Sequence, residues 1–293
     1  EAFAAPAQRA ASDRLPKAER PLFRELLGGV LRRRVALRSI LARYLSRGVR
    51  YTPPPLITAL EIGLYEILAL DGARAHATVN EAVELTRGGR AARGVVNGVL
   101  RRLLREAERL AAPPEVLSAD TLVWSDRSWR FPRAVLPDPE RDLLAHIAVS
   151  EGFVPASARI LAAELGEPRA CQLMRRANDR ARPTLRVTRR GEGSPELLAE
   201  VRAAREGATV EPFADHPASI FRTDGLGDPA ALAAFQDGRL TVQGPFAARV
   251  APFVAPRAGQ RILDLCAAPG GKSAHLLDLA PDLDLTAVVL DGG

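Results

Sequence analysis

Cysteine is nearly absent from this chain: Cys171 and Cys266 are the only two among 293 residues, and they lie far apart in unlike surroundings. Such a pair makes neither a disulfide framework nor a metal-ligand cluster, so reduced thiols and no metal partner are expected. Long apolar runs are missing too. No stretch approaches the roughly 20 uninterrupted apolar residues that span a bilayer, and the first residues lack the basic-then-apolar order of a secretory signal. No membrane partner and a cytoplasmic location are therefore expected. Lysine is scarce as well, with only Lys17 and Lys272 in a chain that otherwise uses arginine. The chain begins at Glu1 and ends at Gly292-Gly293, and both ends read as truncations.

What is present is a large apolar fraction, 47%, enough in a chain of 293 residues to build two or more domains. Charge is distributed unevenly. Residues 1–112 hold 20 Arg and Lys against 11 Asp and Glu, whereas residues 113–293 hold 21 against 24. A net positive charge of 9 on the first segment suits a polyanion, because clustered cations release counterions from phosphates. Arginine-rich, alanine-rich usage typical of a GC-rich genome accounts for the same numbers without any ligand.

Residues 1–112 read as helix almost throughout. Leu37, Ile40, Leu41, Tyr44 and Leu45 form one apolar stripe, with Arg38, Arg43 and Arg47 opposite. A second helix runs through Leu60, Leu64, Ile67 and Leu68, with Pro53-Pro54-Pro55 before it and Asp71-Gly72 as its stop. A third covers Val79 to Thr86, ended by Gly88-Gly89. A fourth turns Val95, Val96, Val99, Leu100, Leu103 and Leu104 inward and Arg93, Arg101, Arg102, Arg105 and Arg109 outward. Pro113-Pro114 marks a linker to a stretch of mixed helix and loop through about residue 175, holding Trp124 and Trp129. These rings either stack on bases or anchor a domain joint, and the joint is the commoner use. Beyond it, strands at Thr184–Thr188 and Thr209–Phe213 flank a helix from Pro195 to Arg205, a small α/β module. Its entry from Arg175 to Arg182 is either a phosphate contact or a solvated helix end.

The chemistry lies near the end. An apolar strand from Arg261 to Leu265 feeds the turn Cys266-Ala-Ala-Pro-Gly-Gly-Lys272, then a helix beginning near Ser273, then a second strand from Leu285 to Leu290: a β-loop-α-β unit of a doubly wound sheet. Gly270 and Gly271 let a ligand approach the backbone, and the helix start offers N–H donors to an anionic group. A phosphate-binding loop needs a glycine where Cys266 stands, although Gly271-Lys272-Ser273 supplies its other end. The G-x-G-x-x-G dinucleotide fingerprint is absent. His76 and His275 are the histidines weighed as general bases; only Asp278 lies at helical spacing from His275, as a surface contact, and neither receives a catalytic role.

Asp264-Leu-Cys-Ala-Ala-Pro-Gly-Gly-Lys-Ser273 resembles motif I of the RsmB-type ribosomal RNA cytosine-C5 methyltransferases. Leu27-Gly-Gly-Val-Leu-Arg32, Glu61-Ile-Gly-Leu-Tyr65 and Val96-Asn-Gly-Val-Leu-Arg-Arg102 are similar to the NusB-like RNA-binding domain of that family, and Asn178 through Val187 is similar to its connecting module. The resemblance implies a multidomain fold: an all-α NusB-like bundle over 1–112, a helical connector over 113–175, a small α/β module over 176–238, and the start of a Rossmann-like class I methyltransferase domain over 239–293. It further implies S-adenosylmethionine as cofactor, ribosomal RNA as partner and a monomeric state. Cys266, Ala267, Ala268, Pro269, Gly270, Gly271 and Lys272 would lie against the cofactor.

Three departures follow from the same comparison of motifs. The acidic residue that holds the ribose hydroxyls in the family falls at Val289; Asp291, two residues on, shares that face of the strand and is a weaker substitute. The family's Val-Gln-Asp segment is Val242-Gln243-Gly244, without the carboxylate. The Thr-Cys and Pro-Cys pairs that supply the nucleophile and assist product release are absent. Cys266 and Cys171 are then both structural, with Cys266 expected as a small buried residue. No catalytic residue is assigned, no turnover is expected of this sequence, and its cofactor affinity should be weak or nil. A catalytically inactive RNA-binding or ribosome-assembly protein and a P-loop NTPase are the rival readings. An uncovered apolar face on the two-stranded sheet is expected.

Overall fold

The computed structural model describes residues 11–70, 75–86, 89–124, 127–179, 182–194, 196–214 and 216–289, and the chain divides into two compact units, Glu1–Asp179 and Arg180–Gly293. A helical region precedes an α/β region. No helix among the described residues is long and apolar enough to cross a membrane.

In the first unit, α1 (Arg20–Leu41) starts with Pro21 in its first turn, a position where a missing N–H costs nothing. Its residues Leu37, Ile40 and Leu41 are fully buried. The predicted stripe continues to buried Tyr44 and Leu45, but a turn carries them, since the helix ends at Leu41. In α2 (Pro54–Ala69) two of the three prolines lie inside the first turn rather than ahead of it. Its expected stop, Asp71-Gly72, lies outside the described residues. Next come α3 (Ala75–Leu85) and α4 (Arg90–Glu106), with Gly89 as the N-cap of α4 and Gly88 outside the described residues. Val96, Val99, Leu100 and Leu103 are buried, while Arg93, Arg101 and Arg105 face solvent. Each fully buried leucine contributes about 1.5–3 kcal/mol of burial free energy.

Helix does not persist to residue 112. β1 (Glu108–Leu110), β2 (Thr121–Trp124) and β3 (Arg127–Arg130) make an antiparallel sheet in the order β1-β3-β2. The helix already ends at Glu106, and β3 supplies residues 108–110 with the backbone hydrogen bonds that a longer helix would have provided. Trp124, Phe131, Val135 and Leu136 join the core of the bundle. Both tryptophans are anchors: the Trp124 indole N–H donates to the Ser150 carbonyl at 3.0 Å and that of Trp129 to the Leu68 carbonyl at 3.1 Å.

α5 (Leu143–Glu151), α6 (Pro155–Leu165) and α7 (Glu167–Ala177) complete the unit. The Asp142 carboxylate caps α5 by accepting from the Ala145 N–H at 2.8 Å. Gly152 ends it at φ 88°, where an added Cβ would meet the Arg32 carbonyl oxygen at 1.9 Å. At this crossing Arg33 pairs with buried Glu151 at 2.5 Å and lies 4.7 Å over the Trp124 ring. Burial pushes the Glu151 carboxyl up against the opposing pull of Arg33. Asn178, within the basic run, donates to the Glu151 carbonyl.

The second unit begins with β4 (Thr184–Val187), α8 (Leu197–Ala203), β5 (Thr209–Phe213), β6 (His216–Asp224), α9 (Ala233–Gln236) and β7 (Leu240–Val242). The four strands form an antiparallel sheet in the order β5-β6-β4-β7, and Leu185, Leu197, Val201, Val210, Phe221 and Leu240 form its core. β6 and β7 have no counterpart in the sequence-based expectations. Two short helices, α10 (Pro245–Ala248) and α11 (Val250–Val254), lead to β8 (Arg261–Asp264), α12 (Gly271–Leu279) and β9 (Asp284–Ala287). β8 and β9 pair in parallel, with Arg261 opposite Asp284 and Asp264 opposite Ala287.

Candidate cofactor turn and its supports

Parallel neighbours require a crossover, and α12 provides it, so residues 265–270 form the turn at the carboxyl end of β8. Ligands of doubly wound sheets bind at such ends. The turn is fastened to both strands by backbone: the Val288 N–H donates to the Asp264 carbonyl at 2.8 Å, and the Ala267 N–H to the Val288 carbonyl at 3.1 Å. Ala267 points inward and is buried, whereas Cys266 is exposed. The expectation of a buried Cys266 is thereby corrected, because the inward position at this bend falls one residue later.

Asp264 organises the turn from within. Its carboxylate accepts from the Ser273 hydroxyl at 2.7 Å and from the Cys266 N–H at 3.1 Å. These bonds, Ser273 foremost, hold its carboxyl below the usual aspartate range, with the Lys272 charge adding to the effect. Gly270 sits at φ 95° as the N-cap of α12, a conformation that L side chains rarely adopt. No side chain caps that helix start, so the first-turn N–H donors are left to face the turn. A Cβ added at Gly270 or Gly271 would meet nothing within 4 Å, so the backbone is approachable there. Lys272 is exposed on the first turn. Val289, the position expected to hold ribose, is a half-exposed valine, and Asp291 lies outside the described residues.

The polar support behind the turn was not visible in the motif. Gln243, 4% exposed, donates through Nε2 to the Gly271 carbonyl at 3.1 Å and accepts at Oε1 from the Arg186 Nε at 2.5 Å. Arg186, 3% exposed, also pairs through Nη1 with Asp278 at 2.7 Å. Asp278 is thus an ion-pair partner of the small module, and His275 is buried in α12. Gly244 is the N-cap of α10 in extended conformation, and no side chain stands at the place of the missing carboxylate.

The remaining candidates lie elsewhere. Cys171 is buried beside Ile147 and Met174 on α7, and burial pushes its thiol up, which suits a packed residue. His76 is exposed on α3 of the other unit. Among the described residues, no group of three or more His, Cys, Asp or Glu is placed to hold a metal ion. The turn offers backbone donors, open glycines and one ammonium.

Comparison with known proteins gives two matched segments: residues 1–105 match the NusB family, and residues 251–291 match the family described as 16S rRNA methyltransferase RsmB/F. Ribosomal RNA small subunit methyltransferase B of Escherichia coli (strain SMS-3-5) is 30% identical over 288 residues, covering 98% of this chain and 58% of that protein. The protein of the same description from Shigella boydii serotype 4 (strain Sb227) has the same identity and coverage. The chain spans little more than half the length of these relatives. The crystal structure of PH0851 shares the fold, with a TM-score of 0.64 at 17% identity over 96% of this chain and 57% of that one. The resemblance read from the motifs therefore runs along nearly the whole chain.

Proposed function

We propose, on the premise of that resemblance to the RsmB/F methyltransferases, that this chain carries the RNA-binding and cofactor-turn portion of an S-adenosylmethionine-dependent ribosomal RNA cytosine-C5 methyltransferase, acting as a cytoplasmic monomer. The single observation that carries the reading is the turn at the end of β8: Gly270 at positive φ, an uncapped helix start beyond it, and Asp264 tying Cys266 to Ser273.

The residues suit the cofactor. Cys266, Ala267, Ala268, Pro269, Gly270 and Gly271 present backbone without bulk, and Lys272 adds one compact cation. S-adenosylmethionine, when bound, supplies an electrophilic methyl group on sulfonium. Gly270 and Gly271 admit the ligand to the backbone, and the helix start donates to its carboxylate. Asp291 is the weaker partner for the ribose. The Ser273 hydroxyl is committed to Asp264, which argues against the phosphate-loop alternative, where that hydroxyl serves a metal-bound nucleotide. The basic first unit would take the RNA through phosphate contacts.

One observation favours a second reading, an RNA-binding or ribosome-assembly protein: the excess of positive charge in residues 1–112, 20 Arg and Lys against 11 Asp and Glu, suits a polyanion without any cofactor. Ultraviolet cross-linking of radiolabelled S-adenosylmethionine, mapped by peptide mass, separates the two. The first reading predicts label between residues 264 and 273 that unlabelled cofactor competes away. RNA binding with no label there would leave only the second.

A further inference from the structure

The small antiparallel module touches the crossover helix through buried polar atoms where apolar packing would be the default. Arg186 lies within the module's inner strand β4, and Gln243 directly follows its neighbour β7. Both side chains are buried, and a buried guanidinium is costly unless its donors find partners, which Nε and Nη1 of Arg186 do while Nη2 has no hydrogen bond among the described residues. The partners sit at opposite ends of α12: Gln243 holds the Gly271 carbonyl in the first turn, and Arg186 holds the Asp278 carboxylate in the last. A carboxylate near a helix C-terminus opposes the helix dipole, so Asp278 does not serve the stability of α12 by itself. Its contribution arises through Arg186. Similarly, Gly271 begins the helix, and its carbonyl has a second lone pair to spare beyond the intrahelical bond.

We infer that Arg186 and Gln243 are positioning residues that brace α12 at both ends and thereby fix the angle at which its first-turn N–H groups meet the cofactor turn. This rests on the proposed cofactor site. The small module is then the rear wall of that site rather than a spacer ahead of it. Arg186 orients the Gln243 amide by occupying its oxygen, which leaves Nε2 to donate to Gly271. An indirect hydrogen-bond shell of this kind costs about 10–100-fold in affinity when removed from metal sites, and a smaller loss, near tenfold, is expected for a flexible backbone turn.

Gln243→Glu isolates the effect. Glutamate keeps an acceptor for Arg186 but sets a carboxylate oxygen against the Gly271 carbonyl, so the fold keeps an ion pair while the brace is lost. Hydrogen exchange read by mass spectrometry should show amides 270–274 exchanging about tenfold faster, with the β4–β7 sheet unchanged, and cofactor-dependent amide shifts should require about tenfold more S-adenosylmethionine. Unchanged exchange at 270–274 in a folded Gln243→Glu chain overturns the inference. Should that variant not fold, Asp278→Asn, at a partly exposed site, tests the other end of the brace: faster exchange at 271–275 supports it, and native exchange overturns it. Absence of any shift with S-adenosylmethionine in the native chain would count against the cofactor reading alone, because the exchange measurement needs no ligand.

Discussion

In the bundle, Leu37, Ile40, Leu41, Leu60, Leu64 and Leu100 are wholly removed from water; beside the cofactor turn, Leu263, Leu265 and Val289 keep 57%, 68% and 55% of their surface exposed. The two regions therefore hold their shapes by different means. Apolar burial sets the first, and its polar contacts, such as Arg33 with Glu151, sit at crossings already fixed by packing. The second has little apolar closure of its own, and its geometry depends on backbone ties and buried polar groups: Asp264 inside the turn, Gln243 and Arg186 behind it. In a doubly wound sheet the exposed face of β8 and β9 is the kind that further helices cover. On the proposed reading, the packed basic body would take the polyanion and the open backbone of the turn the small ligand.

The largest test of that contrast is a pair of truncations. Leu64→Ala should cost about 2–5 kcal/mol by urea titration, whereas Leu263→Ala on the half-sheet should change stability by about 0.5 kcal/mol or less. Similar losses at both sites would erase the distinction. Next in size is Gly270→Ala. Placing a side chain at φ 95° costs about 1–2 kcal/mol, and the loss should appear as faster exchange at residues 266–274 with the bundle's melting temperature unmoved.

Acid sharpens the comparison with opposite signs. Asp264 has a lowered folded value, so its contribution is present above the ordinary aspartate pKa, near 4, and fades as pH falls through the folded value. Glu151 has a raised value, caused first by burial, so its own term favours folding below the ordinary glutamate pKa and is lost as pH rises through the folded value. Exchange corrected for its intrinsic rate should therefore loosen at Cys266 on acidification earlier than around α5. The reverse order would refute the assignment of Asp264 as the organiser of the turn.

Much of the bundle was legible because helical periodicity is local: the spacing of Val96, Val99, Leu100 and Leu103 fixes α4 without reference to any partner. The strand Glu108–Leu110 was not, since three residues hold no period of their own and take their form from β3. β6 and β7 were missed for the same reason; each is specified by β4 between them. At the site, the glycine turn was readable from residue types alone. Its support was not, because Arg186 and Gln243 are 57 residues apart and meet only across the folded sheet. Cys266 was misread because one residue of offset in a bend decides which side chain turns inward, and Ala267 takes that place.

The most direct measurement is a titration of the native, isotope-labelled chain with S-adenosylmethionine and, separately, with ATP and magnesium, following backbone amide shifts. Saturable shifts confined to residues 264–273 with S-adenosylmethionine, at a dissociation constant of about 1 mM or tighter, and none there with ATP, are the predicted result. Shifts at Lys272 and Ser273 with ATP and none there with S-adenosylmethionine would contradict it.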